Sequence, residues 1–330
     1  MKTTPFAVAL VLIVLAIAGC GKNKPETEPR TVLLFESPAS YPEFDGQRAF
    51  ELVERQLSFG PRAPNSPGHA ACAEFLHSRL ASLCDTLKVQ EFTLPGYGSE
   101  RLPLVNFIGR FNPSARNRII LAAHWDTRPR ADKEDGEADR SEPIPGANDG
   151  GSGTAVLLHI AEILNDTPPP IGVDIILFDG EDYGKEGDER MYCLGSQYFA
   201  ANIPPEYDAD FGILLDLVGD SAAVFPREGF SRQFAPDVVD LVWGNASSLG
   251  LSRFSNERYA PILDDHVWLN QLAGIKTVNI IDAELIGHAD PNPRRQYWHT
   301  HRDDMRNISA QTLDEVGTLL LYMVFGLTPA

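Results

Sequence analysis

Three apolar runs in this chain end in side chains that can bind a metal or move a proton. Residues 173–178 run into Asp179-Gly180-Glu181-Asp182, residues 119–123 into His124-Trp125-Asp126, and residues 211–215 into Asp216. Such runs read as buried parallel strands. In open α/β sheets, ligands sit just beyond the carboxyl ends of such strands. The neighbouring acids Glu181 and Asp182 can divide two tasks, one holding a cation and the other transferring protons. Further candidate ligands are Asp149, Asp265, His266, His299 and His301. Zinc takes His nitrogen with carboxylate oxygen, and a catalytic site keeps one coordination position open. Asp149 stands in Gly146-Ala147-Asn148-Asp149-Gly150-Gly151-Ser152-Gly153, where small neighbours let the backbone approach a metal. The same residue would also suit a turn or a helix N-cap. Histidines and carboxylates delivered to one sheet edge describe a metal-dependent enzyme better than a binding module.

The elements that must position these groups alternate along the chain. Helical segments are expected at 45–56, 66–83, 154–164, 196–201 and 237–249, and from Ser309 onward. The second opens on Ser66-Pro67, an N-cap followed by proline at the first helical position. The last carries Leu313, Val316, Leu320 and Val324 on one face. Strands are expected at 87–94, 104–111 and 277–281 beside the three runs above. This alternation predicts a single α/β domain with a mostly parallel central sheet and helices on both faces. The long connections 128–145 and 283–297 are of the kind that line sites.

The chain has 330 residues, is 43% hydrophobic and carries a formal net charge of −18. That apolar share suffices for a core and excludes global disorder. The charge argues against nucleic acid and against attraction to anionic lipid, and reads mainly as solubility. Residues 1–20 are expected to be a signal peptide: Lys2, an apolar stretch over 6–17, then Ile17-Ala18-Gly19-Cys20. The stretch is too short to span a membrane. Its ending resembles the bacterial lipoprotein signal, in which Cys20 becomes a lipid-modified N-terminus. Residues 21–44 then form a tether and lead-in, and 45–330 the catalytic domain. The expected location is the bacterial cell envelope, periplasmic or on the outer-membrane face, with the membrane met only through the lipid anchor. Cys72, Cys84 and Cys193 remain, and an odd count in an exported chain leaves at least one free thiol. Pairing of Cys72 with Cys84 is left open by their spacing. No cysteine-rich zinc ribbon is present.

Taken in order, His124-Trp125-Asp126, residues 146–153, Asp179-Gly180-Glu181-Asp182, Leu214-Leu215-Asp216 and Trp298-His299-Thr300 resemble the zinc aminopeptidase superfamily. Within it, Asn112-Pro113-Ser114-Ala115, Asp264-Asp265-His266 and Tyr297-Trp298-His299-Thr300 followed by Asp303-Asp304 resemble the animal-type glutaminyl-peptide cyclotransferases. The likeness runs over residues 45–326. It implies one zinc held by Asp149, Asp182 and His299, with water or substrate in the fourth position. It implies Glu181 as proton shuttle, Asp265 and Asp216 as its hydrogen-bonding partners, and Trp298 packed beside the substrate. The implied reaction turns the N-terminal glutamine of a peptide or protein into pyroglutamate and releases ammonia. Zinc polarises the γ-carbonyl, while Glu181 takes a proton from the attacking amine and returns it to the departing nitrogen. Position 182 departs from the pattern, which more usually has Glu there; Asp is one methylene shorter.

Two other readings compete. An aminopeptidase would hold two zincs through His124, Asp149, Asp182, Asp216 and His299, with Glu181 activating a bridging water. Asp264-Asp265-His266 and Trp298 favour cyclisation over this. A catalytically inactive, tethered binding protein is disfavoured because Asp149, Glu181, Asp182 and His299 are all retained. Asp126 is expected to orient His124 or a nearby amide, and His266 to complete a local network. His288 is expected near the mouth of the site. His299 is preferred to His301 because it stands in the motif. His69, His77, His159, Trp125 and Trp243 are expected to be ordinary structural residues.

Overall fold

The computed structural model describes residues 32–137 and 139–330; the expected signal peptide, Cys20 and the expected tether up to residue 31 lie outside the described residues. The elements are β1 (Leu33–Phe35), α1 (Gly46–Leu57), α2 (Pro67–Leu83), β2 (Thr86–Pro95), β3 (Arg101–Phe111) and β4 (Arg118–His124). Then come α3 (Gly151–Asp166), β5 (Gly172–Phe178), α4 (Leu194–Ala201), β6 (Phe211–Asp216), β7 (Phe225–Arg227) and α5 (Gly229–Phe234). The chain closes with α6 (Pro236–Ser248), β8 (Phe254–Arg258), α7 (Asp265–Gln271), β9 (Thr277–Ile281), α8 (Ala310–Gly326) and β10 (Leu327–Pro329).

The central sheet has the order β2-β3-β5-β4-β6-β9. β5, β4, β6 and β9 are mutually parallel, whereas β2 and β3 form an antiparallel hairpin that joins β5 antiparallel. The sheet is therefore mixed, and its parallel part carries the candidate ligands. Every residue of β4 and of β5 is buried. Ile119, Leu121 and Ala123 face one core, shared with helices α1, α2, α3, α6 and α8. Ile120 and Ala122 face a second, shared with Phe199 of α4 and Leu269 of α7. Burial on both faces is why these runs show no polar alternation.

Ser66 caps α2 by accepting from the His69 amide at 3.0 Å, and Ser309 caps α8. α3 starts at Gly151, three residues before the segment expected from the sequence, because the glycine run itself turns helical. Gly150, at φ 78°, is the N-cap of α3, so Asp149 is not spent on that role. A side chain at Gly150 would also strike the Asp126 carbonyl and press on the His124 ring. β1 pairs with β10, and Phe44 packs into the main core, so the folded unit begins well before residue 45. Cys72, Cys84 and Cys193 are all free thiols. No helix among the described residues is long and apolar enough to cross a membrane.

Candidate active site

Parallel register places the candidate ligands side by side. His124 at the end of β4 pairs with Phe178 of β5, so Glu181 and Asp182 follow just beyond the same edge. Gly180, at φ 70°, reverses the chain into a short 3₁₀ turn over Glu181–Tyr183. Asp126 sets that turn, accepting from the Glu181 and Asp182 amides at 3.0 and 3.3 Å. Its Oδ1 also lies 3.5 Å from His124 Nδ1, so Asp126 orients both a histidine and backbone amides. Asp303 performs the same service for the glycine-rich loop, accepting from the Asn148 and Asp149 amides at 2.9 and 3.0 Å. Arg62, fully buried, ties that loop to β4 through the carbonyls of Trp125, Pro145 and Gly146. His299 adopts φ 56°, in the left-handed region that costs a non-glycine residue of order 1–3 kcal/mol. The Trp298 ring stacks on the His299 ring, with centroids 3.4 Å apart.

These devices bring two donor sets together around one shared carboxylate. Donor atoms of Asp149, Asp182 and His299 all lie within 4.8 Å of one another, and so do those of His124, Asp149 and Asp216. His299 Nε2 is 3.4 Å from Asp182 Oδ1 and 3.6 Å from Asp149 Oδ2. His124 Nε2 is 3.3 Å from both Asp149 Oδ1 and Asp216 Oδ1. Asp182 Oδ2 is buried and has no hydrogen-bond partner among the described residues. A buried oxygen left unpaired costs roughly 1–3 kcal/mol, so its natural partner is a cation. Imidazole nitrogen with carboxylate oxygen is the donor chemistry of zinc, and both sets fit it.

Charge points the same way. Burial raises the Asp182 pKa well above the usual range despite Arg128, and Asp149 adds to the rise. Asp216 is pushed up to about 7, mainly by burial and then by Asp264. Carboxylates crowded in this manner are relieved by a bound divalent ion. The two histidines diverge. Burial pushes His299 down to about 4, leaving it neutral, with a free nitrogen lone pair. Burial pulls His124 down too, but its contacts with Asp126, Asp149 and Asp216 outweigh that and hold it well above its ordinary value.

Glu181 faces a pocket of about 440 Å³ shared with Asp149, Asp182, Asp216, Asp264 and Trp298. Its pKa is raised well above the carboxylate range by burial and by Asp182, Asp264 and Asp265, against the pull of His124. Ionised carboxylates only accept, so the expected hydrogen bonds from Asp265 and Asp216 to Glu181 would each require a shared proton. Asp216 is turned to His124, and Asp265 is buried deeper, acting on Glu181 through charge. The Cys193 thiol donates to Glu181 at 3.4 Å. Asp264, rather than Asp265, lines the pocket, anchored by the Asp265 amide and the Asn279 amide group at 2.6 Å each. Donor atoms of Glu181, Cys193 and Asp264 also lie within 4.8 Å of one another, a third group apart from the two around Asp149.

The remaining histidines sort as follows. His266 pairs with Glu228 at 3.1 Å in a fully buried network, and His301 pairs with Glu134 nearer the surface. His288 bonds the Trp298 carbonyl at 2.9 Å, and so supports the wall of the site. His69 bonds Asp179 and stacks on Trp125. Reasoning from sequence missed Arg62, Arg128, Asp132, Cys193, Asp264 and Asp303 as site-shaping residues. Asp264 and Asp303 do stand inside the quoted motifs, but nothing in the sequence assigned them a role.

A mixed α/β sheet with histidines and acids at the carboxyl ends of its parallel strands defines a single-domain scaffold of the zinc-exopeptidase type. Residues 106–324 match peptidase family M28, and the chain belongs to that family. A glutaminyl cyclase from Bacteroides thetaiotaomicron, solved bound to N-acetylhistamine, superimposes with a TM-score of 0.82 at 41% identity, covering 87% of this chain and 99% of that one. A Zn-dependent exopeptidase from Parabacteroides distasonis superimposes with a TM-score of 0.81 at 37% identity, covering 87% and 99%. The glutaminyl-peptide cyclotransferase of Bothrops jararaca is 26% identical over 299 residues, 80% of this chain and 76% of its own.

Proposed function

We propose that this chain is a zinc-dependent glutaminyl-peptide cyclotransferase acting on N-terminal glutamine. The observation that carries the reading is the placement of Glu181. Its carboxyl group faces the pocket beside the Asp149–Asp182–His299 donor set without belonging to it. The two neighbouring acids thus stand in two different roles. The similarity to a solved glutaminyl cyclase over nearly its whole length supports the choice of reaction.

Asp149, Asp182 and His299 would hold one zinc, which when bound supplies a Lewis acid that polarises the γ-carbonyl of the substrate. The apolar walls Ile262, Ile281, Ile286 and Trp298 would hold the glutamine side chain and exclude water. Glu181, as carboxylate, takes a proton from the α-amino group as its nitrogen bonds to the γ-carbonyl carbon. Glu181 then delivers a proton to the carboxamide nitrogen, the carbon–nitrogen bond breaks, and ammonia leaves. Its raised proton affinity suits it to both steps.

One observation favours the second reading, a two-zinc aminopeptidase: His124, Asp149 and Asp216 make a complete second donor set. The two separate in one assay, in which a glutamine-initiated peptide is incubated with the protein and read by mass. Loss of ammonia supports cyclisation; release of free glutamine overturns it. Metal analysis adds a count, one zinc per chain supporting the cyclase.

We also propose, from residues 1–20 alone, that Cys20 carries a lipid anchor and the enzyme sits in the cell envelope. A Cys20→Ala variant should then leave the membrane fraction for the soluble one.

A further inference from the structure

Arg128 is a cation buried beside the donor set, its side chain only 1% exposed. Burying a guanidinium is costly unless every donor is matched. Here Nη1 donates to Asp182 Oδ1 at 2.6 Å and to the Asp182 carbonyl at 3.2 Å. Nε and Nη2 grip the two oxygens of Asp132 at 3.0 and 2.5 Å, and Nη2 also meets the Tyr192 hydroxyl at 3.1 Å. Asp132 in turn lies 3.4 Å from His299 Nδ1. A second tie reaches the same histidine, because the Lys133 amide donates to the His299 carbonyl at 3.2 Å.

The contacts form one chain, Asp182–Arg128–Asp132–His299, that links two of the three proposed ligands from behind. With Oδ1 held by Arg128, Asp182 Oδ2 is the oxygen left without a partner. With Asp132 accepting from Nδ1–H, His299 presents its Nε2 lone pair towards Asp149 and Asp182. A forked arginine–carboxylate pair is geometrically rigid in a way that a lysine pair is not.

We propose that Arg128 and Asp132 form a positioning pair for the metal, aiming Asp182 to ligate through one oxygen and fixing His299 with Nε2 towards the ion. The inference rests on the zinc reading above and goes beyond it. It gives the shorter Asp at position 182 a physical partner: what the side chain lacks in reach, the fork supplies in fixed direction. Arg128 also draws on the negative charge of Asp182, so a bound ion keeps more of its own.

The test uses the folded protein with zinc removed, titrated with zinc against a competing chelator and with cobalt(II) read by visible absorption. Arg128→Met and Asp132→Ala should each weaken zinc by about 10–100-fold, the usual effect of removing such supports. Both should also shift the cobalt band. Arg128→Lys keeps the charge without the fork, and should restore only part of the affinity. Should Arg128→Met fail to fold, Asp132→Asn, which keeps volume but not charge, decides in its place with a loss of the same sign. Folded variants that bind zinc within about threefold of the parent, with an unchanged cobalt band, overturn the proposal. Full recovery in Arg128→Lys also overturns it, because charge alone would then suffice. A parent protein that cyclises peptides and binds zinc while the variants are unaffected sinks this inference alone; a parent that binds no zinc sinks both.

Discussion

The thiol of Cys193 donates to Oε1 of Glu181 across 3.4 Å, and the Cys193 amide donates to the Glu181 carbonyl at 2.8 Å. The same residue thus fixes both the backbone and the carboxylate of the proposed proton shuttle. Cys193 sits at φ 55°, the left-handed turn that leads into α4. A hydrogen bond to a charged group contributes about 1.5–3 kcal/mol. Cys193→Ala should therefore lower kcat roughly tenfold or more, with KM and zinc affinity unchanged, while Cys193→Ser stays within a few-fold. Steady-state kinetics check this, and equal losses in Ala and Ser variants would count against a role for the hydrogen bond.

Glu181→Gln should nearly abolish turnover, by about 10²–10⁴, while the protein still binds zinc. Glutamine keeps the shape of the side chain but cannot carry the proton. Normal turnover in this variant would falsify the assignment.

The acidic limb of the pH–rate profile follows from the raised proton affinity of Glu181. The working form is the carboxylate, and burial with Asp182, Asp264 and Asp265 lifts its pKa well above 4.5. Activity should accordingly rise with pH through a midpoint above that value. Asp264→Asn removes one like charge, so the midpoint of kcat/KM should move to lower pH. Movement to higher pH, or none, contradicts the electrostatic account.

Removing zinc with a chelator should abolish activity and lower thermal stability, and adding zinc back should restore both. At free zinc one hundred times Kd, the stabilisation is about 2.7 kcal/mol. For a domain of this size that corresponds to a rise in Tm of roughly 3–5 °C. Calorimetry with and without zinc measures it, and a Tm indifferent to zinc counts against a resident ion.

Asp303→Ala should destabilise the fold by about 2–4 kcal/mol and weaken zinc binding. It would strand two backbone amides, those of Asn148 and Asp149, which lie in the loop that presents a proposed ligand. Chemical denaturation and zinc titration read the two effects separately. Unchanged values for both would show that the loop holds itself.

Much of the scaffold is legible in the sequence. The strand ends carrying His124, Glu181, Asp182 and Asp216 announce themselves because buried parallel strands are contiguous apolar runs with polar residues at their ends. The ordered motifs also gave Asp149, His299 and Trp298, and the structure gathers all three at one pocket. The hairpin β2–β3 and the pairing of β1 with β10 were harder. Strand direction, and the partner of a three-residue strand, depend on what lies across the sheet rather than along the chain.

By itself, then, the amino-acid order determined which chemistry this protein can perform, because residue types and their immediate neighbours set donor identity and element type. Only the tertiary structure decided how the charges are apportioned. Asp303 and Asn148 meet across 155 positions, and Arg128 and Asp182 across 54. Which acid faces Glu181, which histidine stays neutral and which oxygen of Asp182 is left free are settled by burial and distance. Neither quantity exists until the chain has folded.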